Sequence, residues 1–317
     1  MHVRCFQRSF SSALSPLAPI KLPSRMETHF WYILPDEVQN ATLLDQYVEL
    51  LSPCERENVF SMREDHLRKR ALLARALVRT TIARYQINGQ VNPRTLKFKK
   101  NIYGKPEVEW PIFDDWDPPP LNFNISHTSS LIACGVTVNS PIGVDVEEKQ
   151  RRLKSDILSF ARRYFSPHEV ETLTMISDPE VRCQEFIKLW TLKEAYVKAL
   201  GRGFSAVPFK TFTIQLREGT KEDRHVPQKL DNECRTPEIV VESSNDSTMG
   251  GRNFQFSLLE LDGSHYAAIC IENDKTIDGE GCVPSKLNVW KTIPFVKDEY
   301  VSGTKAVVPM GGLIQRF

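Results

Sequence analysis

The sequence predicts an α/β protein made of two similar-sized halves that meet near residue 140. Three observations predict it. Apolar, β-branched runs of strand length alternate with stretches of helical periodicity on both sides of that point. At 317 residues the chain can bury one large core or two smaller ones. A hydrophobic fraction of 41% with 26% charged residues is ordinary globular composition.

The first 25 residues stand apart. Arg4, Arg8, Lys21 and Arg25 are interleaved with Ser9, Ser11, Ser12 and Ser15, and the first acid, Glu27, follows a second methionine, Met26. An Arg- and Ser-rich, acid-free leader predicts an organelle transit peptide, most simply mitochondrial. A cytosolic start at Met26 and a plastid address are the alternatives. The first half is expected over 26–139 and the second over 140–273. An inserted loop is expected at 217–253, and a polar C-terminal extension at 274–317 with one apolar patch near Val289–Val296.

Within the first half, Phe30–Leu34 (FWYIL) predicts a strand. From about Met62 to Tyr85, Leu67, Ala71, Ala74, Val78 and Ile82 recur at helical spacing and predict a long amphipathic helix. Arg68, Arg75 and Arg79 fall on an adjacent face, which reads as a solvated flank or a docking stripe. Asn101–Pro106 (NIYGKP) is a turn, and DWDPPP at 115–120 is a loop or linker. Leu131–Val138 and Ile142–Val146 read as strands joined through Asn139-Ser140-Pro141. A second helix is expected from about Cys183 to Leu200, capped by Gly201. Inside the 217–253 loop, Ile239-Val240-Val241 has the makings of a short strand.

Bulk chemistry narrows the classes. The formal net charge of +1 gives no reason to expect a nucleic-acid or membrane partner, and no apolar run approaches the roughly 18 to 20 residues of a membrane span. The seven cysteines are odd in number and scattered without a CxxC pair, so neither a disulfide framework nor a zinc site is indicated. A reducing compartment fits that usage.

Three segments carry candidate chemistry. In Gly143-Val144-Asp145-Val146-Glu147, strand alternation puts both acids on one face and both valines on the other. Two adjacent carboxylates repel, and protonation, a basic partner or a cation must offset that. Magnesium suits such hard oxygen donors and is usually completed by substrate phosphates. In Trp190–Lys198, Glu194 and Lys198 stand one helical turn apart. They form either a surface ion pair or, more sharply, a third carboxylate and a phosphate-neutralising ammonium. In Asn122–Thr128, His127 stands beside hydroxyls at a strand end, where it is either structural or an anion contact. Lys99, Lys100 and Lys105 flank the Gly104 turn and are either solvated or phosphate-binding.

Singly these signals are weak, but their order is specific. NISH (124–127), GVDVE (143–147), FSPHE (165–169) and WTLKEAYVKALGRG (190–203) together resemble the 4'-phosphopantetheinyl transferase superfamily, in its larger, pseudo-dimeric class of the surfactin-synthetase-activator type. The resemblance spans about Arg56 to Phe212. It implies two α/β halves in a pseudo-two-fold arrangement within a monomer. It also implies transfer of phosphopantetheine from coenzyme A to a serine of an apo acyl carrier protein, with release of 3',5'-ADP. On it, Asp145, Glu147 and Glu194 bind Mg2+ at the pyrophosphate. Ser126 and His127 meet the 3'-phosphate from the NISH segment, which begins at Asn124. Lys105 holds phosphate or nucleotide in company with Lys100, and Arg56 and Arg70 lie near the phosphates. Lys198 pairs with the pyrophosphate and supports the leaving group, and Glu194, directly or through a metal-bound water, is the first choice for taking the serine proton. Where surfactin-specific members have lysines after the Ser-Pro turn, this chain has Glu55 and Asn58. A magnesium-dependent nucleotide hydrolase and a non-catalytic coenzyme A or carrier-binding module are the competing readings.

Overall fold

Strand alternation decides where the layers lie. The computed structural model describes residues 17–25, 27–85, 92–110, 120–152, 156–217, 238–243, 253–273 and 286–310. The first half runs β1 (Glu27–Ile33), α1 (Ala41–Val48), α2 (Pro53–Phe60), α3 (Asp65–Ala83), β2 (Lys97–Lys100), β3 (Pro106–Glu109), β4 (Leu121–His127) and β5 (Ile132–Val138). The second half runs β6 (Ile142–Glu148), α4 (Ile157–Tyr164), α5 (Pro167–Met175), α6 (Pro179–Leu200), α7 (Gly203–Ala206), β7 (Phe212–Arg217), β8 (Glu238–Ser243), β9 (Asn253–Leu261) and β10 (His265–Asn273). Three more strands follow: β11 (Lys286–Ile293), β12 (Lys297–Tyr300) and β13 (Val307–Pro309).

The order of elements repeats. In each half the first strand pairs antiparallel with the last strand of the closing hairpin, β1 with β5 and β6 with β10. The sheets are ordered β12-β11-β1-β5-β4 and β13-β9-β10-β6. On β1, Trp31 and Ile33 face the helices of the first half, while Phe30 and Tyr32 turn to the other face. On β6, Ile142, Val144 and Val146 point to that same shared layer, with Ala267 and Ile269 of β10. Each sheet therefore carries helices on one face and packs against the other sheet with its second face. Burying one of these aliphatic side chains is worth about 1.5–3 kcal/mol, so the shared layer ties the halves firmly.

Local chemistry explains the helices. Ser52 and Ser166 each cap a helix that begins with proline, and each box is closed by a glutamate at the third position, Glu55 and Glu169. Helix α3 is amphipathic only in its first turns, and from Leu72 to Ala83 all residues but Arg75 are buried. The reason is contact on several sides, with α1, with β5 and with the short helical turn at Pro93–Thr95. Helix α6 ends at Gly201, which takes a left-handed φ of 64° as a helix-ending residue should. Asn139 in the connection between the halves also has positive φ, 64°.

Two expectations change in detail. The C-terminal segment is more than a polar extension: β11 pairs parallel with β1 and β12 extends the first sheet, while β13 joins the second. Within the expected 217–253 loop, Ile239–Val241 does form a strand, paired with β7; most of the rest of that loop, residues 1–16 of the expected 1–25 leader and the 111–119 stretch lie outside the described residues. Residues 17–25 of that leader are described: Leu17, Ile20 and Leu22 pack on the core of the first half, and the Ile20 amide donates to the Arg84 carbonyl at 3.0 Å.

Candidate active site

The site grows from Gly143. A methyl group there would meet the Ala195 carbonyl oxygen at 1.9 Å and the Ala199 nitrogen at 2.3 Å, distances no side chain tolerates. Its absence lets the α6 backbone press onto β6. Asp145 and Glu147 lie on the same strand face as Gly143, so they look at Glu194 and Lys198 on α6.

The groups interact strongly. Lys198 Nζ donates to Asp145 Oδ1 at 2.7 Å and to Ser126 Oγ at 3.1 Å. Ser126 Oγ donates to the same Asp145 oxygen at 2.9 Å and accepts from the Val146 amide at 3.3 Å. Asp145 is 5% exposed, and its Oδ2 is buried with no hydrogen-bond partner. Burial, then the Asp145 charge, pushes the Glu147 carboxyl up to about 7, against the pull of Arg151 and Lys198. Burial and Asp145 raise Glu194 in the same way. Arg151 forms an ion pair with Glu147 and lies over the Trp190 ring at 5.7 Å. As these side chains stand, no three His, Cys, Asp or Glu among the described residues are gathered to hold a metal. Ammonium and guanidinium groups hold Asp145 and Glu147 instead.

The remaining predicted residues divide. Asn124 is buried, and its Oδ1 accepts from the Val144 amide at 2.8 Å, stitching β4 to β6. Ser126 sits in the site. His127 is exposed at the end of β4, and Arg70 Nη1 reaches the neighbouring Thr128 carbonyl at 3.5 Å. Arg70 thus lies against the residue that follows His127. Lys105 approaches the site from the other half, with its Nζ on the carbonyls of Ile142 and Lys198 at 2.8 and 2.9 Å. Lys100 is exposed on β2, and Arg56 pairs with Glu49 at 3.2 Å; among the described residues no contact ties either to the acids. Arg79 leaves the basic docking stripe altogether. It is 2% exposed and donates to Glu55 through Nε and Nη2 at 3.0 and 2.6 Å, because the Ser52 box leaves a carboxylate facing α3.

Sequence reasoning missed Gly143 as a packing device, Arg151 as the Glu147 partner, and Lys193. Lys193 is fully buried, and its ammonium donates to both Glu169 oxygens at 2.6 and 2.7 Å and to the Phe212 carbonyl at 2.7 Å. A lysine on the apolar stripe of a helix is itself the signal, since such a charge must find a buried partner. Burial lowers it to about 8 despite the Glu169 charge.

Comparison with known proteins decides the family. Residues 141–248 match the 4'-phosphopantetheinyl transferase superfamily, and residues 39–138 match its N-terminal region, described as "4'-phosphopantetheinyl transferase, N-terminal". The 4'-phosphopantetheinyl transferase Sfp of Bacillus subtilis is 30% identical over 185 residues, 58% of this chain and 74% of that protein. The transferase HetI of Nostoc is 34% identical over 181 residues, 56% of this chain and 70% of that one. The chain belongs to the 4'-phosphopantetheinyl transferase superfamily. A further 4'-phosphopantetheinyl transferase of Bacillus subtilis is 33% identical over 161 residues, and this chain covers 62% of its length. A solved structure, the Thermotoga maritima holo-[acyl-carrier-protein] synthase, overlays with a TM-score of 0.28 at 23% identity over 43% of this chain and 64% of that one. The superfamily match at 141–248 contains β6 and α6, so the transferase family and the acid cluster coincide.

Proposed function

We propose that this chain transfers the 4'-phosphopantetheine arm of coenzyme A to a serine hydroxyl of an apo acyl carrier protein and releases 3',5'-ADP. The observation that carries the proposal is the close seat of α6 on Gly143, which confronts Asp145 and Glu147 with Glu194 and Lys198. Family membership supports the reaction, and the buried Asp145 Oδ2 without a partner supports a cation at the site. Three hard carboxylates suit magnesium. Asp145, Glu147 and Glu194 would hold it, and when bound it supplies positive charge to the pyrophosphate oxygens.

The protein's own residues do the rest. Glu194, its carboxyl raised by burial and by Asp145, accepts the serine proton. The serine oxygen bonds to the β-phosphorus as the bridging oxygen departs with 3',5'-ADP. Lys198 neutralises charge on that leaving group. His127 at the end of β4, Arg70 on the neighbouring Thr128 carbonyl, and Ser126 bind the 3'-phosphate, while Lys100 and Arg56 add positive charge at longer range. The Ser-rich, acid-free leader supports delivery to mitochondria, where an acyl carrier protein is the first partner to try; the presence of both halves in one chain supports action as a monomer.

The test is mass spectrometry of candidate apo carriers incubated with the protein, coenzyme A and magnesium. Gain of one phosphopantetheine arm is expected. Nucleotide products without any gain on a carrier would favour a hydrolase and sink the proposal. Fractionation of cells expressing the chain with and without residues 1–25 tests the address, and an unchanged distribution would refute it.

A further inference from the structure

The turn at Asn101–Pro106 belongs to the first half, yet it closes on the end of the second half's functional helix. Asn101 organises the turn: its Oδ1 accepts from the amides of Tyr103 and Lys105, both at 2.9 Å. Gly104 takes a φ of 91° that lets the chain reverse. Asn101 Nδ2 then donates to the Gly201 carbonyl at 3.0 Å. A methyl group on Gly201 would stand 3.3 Å from that nitrogen and 3.5 Å from Lys105 Cδ, so the two halves are pressed together here.

Lys105 completes the clasp. Its ammonium takes the carbonyl of Lys198 in the last turn of α6 and the carbonyl of Ile142 at the start of β6. The last carbonyls of a helix lack the usual partner four residues on; that of Lys198 takes the capping Gly201 amide at 3.2 Å, and a cation placed there adds a second hydrogen bond and answers the negative end of the helix dipole. One ammonium therefore bridges the helix that carries Glu194 and Lys198 to the strand that carries Asp145 and Glu147. Two of the three N–H donors of that ammonium are thus committed to backbone carbonyls.

We infer that Lys105 is a positioning residue: it fixes the last turn of α6 against β6, and so sets Glu194 and Lys198 opposite the two acids, rather than binding a coenzyme A phosphate. Burial lowers the ammonium to about 8, with Glu107 opposing, which agrees with a group committed to carbonyls inside the protein. The inference rests on the transferase reading for its kinetic consequence. Misplacement of catalytic groups by an ångström can cost about a hundredfold in rate.

The experiment uses the full chain with Lys105→Met, and Asn101→Asp as the second variant. The carboxylate of that second variant keeps an oxygen to organise the turn and loses the donor to Gly201. Three quantities are read: kcat and KM for coenzyme A with a carrier substrate, the affinity ratio of coenzyme A to 3'-dephospho-coenzyme A by calorimetry, and hydrogen exchange of residues 196–201. For Lys105→Met, kcat falls about tenfold or more while KM and the affinity ratio stay within about twofold. Exchange at the helix end quickens in both variants, and Asn101→Asp shows the same kinetic split at smaller amplitude. A large rise in KM with loss of the 3'-phosphate preference would make Lys105 a phosphate ligand and overturn the inference, as would an unchanged kcat. Where Lys105→Met does not fold, Asn101→Asp decides on the same terms. Wild-type protein that modifies no carrier overturns the transferase reading alone, because the exchange comparison still reports whether Lys105 holds the helix end.

Discussion

The two halves share one scaffold and put it to opposite uses. Each has a Ser-Pro-x-Glu box, Ser52 to Glu55 and Ser166 to Glu169, and each glutamate meets a buried cation 24 residues later, Arg79 and Lys193. An aromatic ring lies against each cation, Phe98 at 5.3 Å and Phe212 at 4.1 Å. Counted in step from these boxes, Trp31 stands where the second half has Asp145, Ile33 where it has Glu147, Thr80 where it has Glu194, and Arg84 where it has Lys198. The geometry persists while the chemistry does not. Lys198 reaches an aspartate, whereas Arg84 lies over the Trp31 ring at 5.2 Å.

The C-terminal strands seal the first copy. Trp290 of β11 stacks on Trp31 at 4.4 Å, and Asp298 accepts from Arg84 at 2.5 and 3.3 Å. Tyr47 donates to the Pro294 carbonyl from the same side at 2.7 Å. The difference teaches that this fold brings a strand and a helix into register whatever they carry. Acids and a lysine there make the candidate site, and apolar groups there make core.

The sharpest way to break the comparison is to exchange the fates of paired positions. Asp145→Ala should lower carrier modification by about a hundredfold or more, while Trp31→Phe at the matching position leaves kcat unchanged; steady-state assays of both variants check this. Next come the buried cations. Lys193→Ala should cost about 3–5 kcal/mol in urea denaturation, because Glu169 is left buried and unpaired. Arg79→Ala should cost less, about 2 kcal/mol, since the Glu55 side chain is 23% exposed and water can reach it. A reversed order would show that the two boxes are not equivalent. Asp298→Ala should destabilise by about 1–3 kcal/mol with no effect on kcat, and a fall in kcat would mean that the sealed copy still communicates with the open one.

The smallest effect is in pH. Burial and Asp145 raise Glu147 to about 7 in the fold, above its ordinary 4.5, so the folded state holds that proton more tightly than the unfolded chain. Its contribution to stability is full below about 4.5 and is lost as pH rises through about 7. Without divalent cation, Glu147→Gln should therefore flatten the fall in Tm between pH 5.5 and 8, with the gain at pH 8. Magnesium should shrink that difference. Parallel melts of wild type and variant would contradict the assignment.

Much of the scaffold was legible because its signals are local. The FWYIL run, the GVDVE alternation and the Gly201 stop each report a strand, a face or a helix end within a few residues. The acids and Lys198 were legible through their order along the chain. What escaped depends on partners far away in sequence. Nothing near Lys286–Ile293 announces a parallel partner in β1: the apolar patch near Val289–Val296 signals burial but not which strand covers it. Arg79 has the spacing of a solvated flank, and only the glutamate of the Ser52 box makes it core. Gly143 reads as an ordinary strand residue until the Ala195 carbonyl is seen 1.9 Å from where its side chain would begin.

The central claim is that the second half alone gathers one divalent cation through Asp145, Glu147 and Glu194. Titration of Mn2+ followed by electron paramagnetic resonance, with coenzyme A present, tests it most directly. One bound ion per chain is predicted for wild type and for Trp31→Phe, with binding lost in Asp145→Ala and weakened in Glu194→Gln. Equal binding by wild type and Asp145→Ala would contradict it.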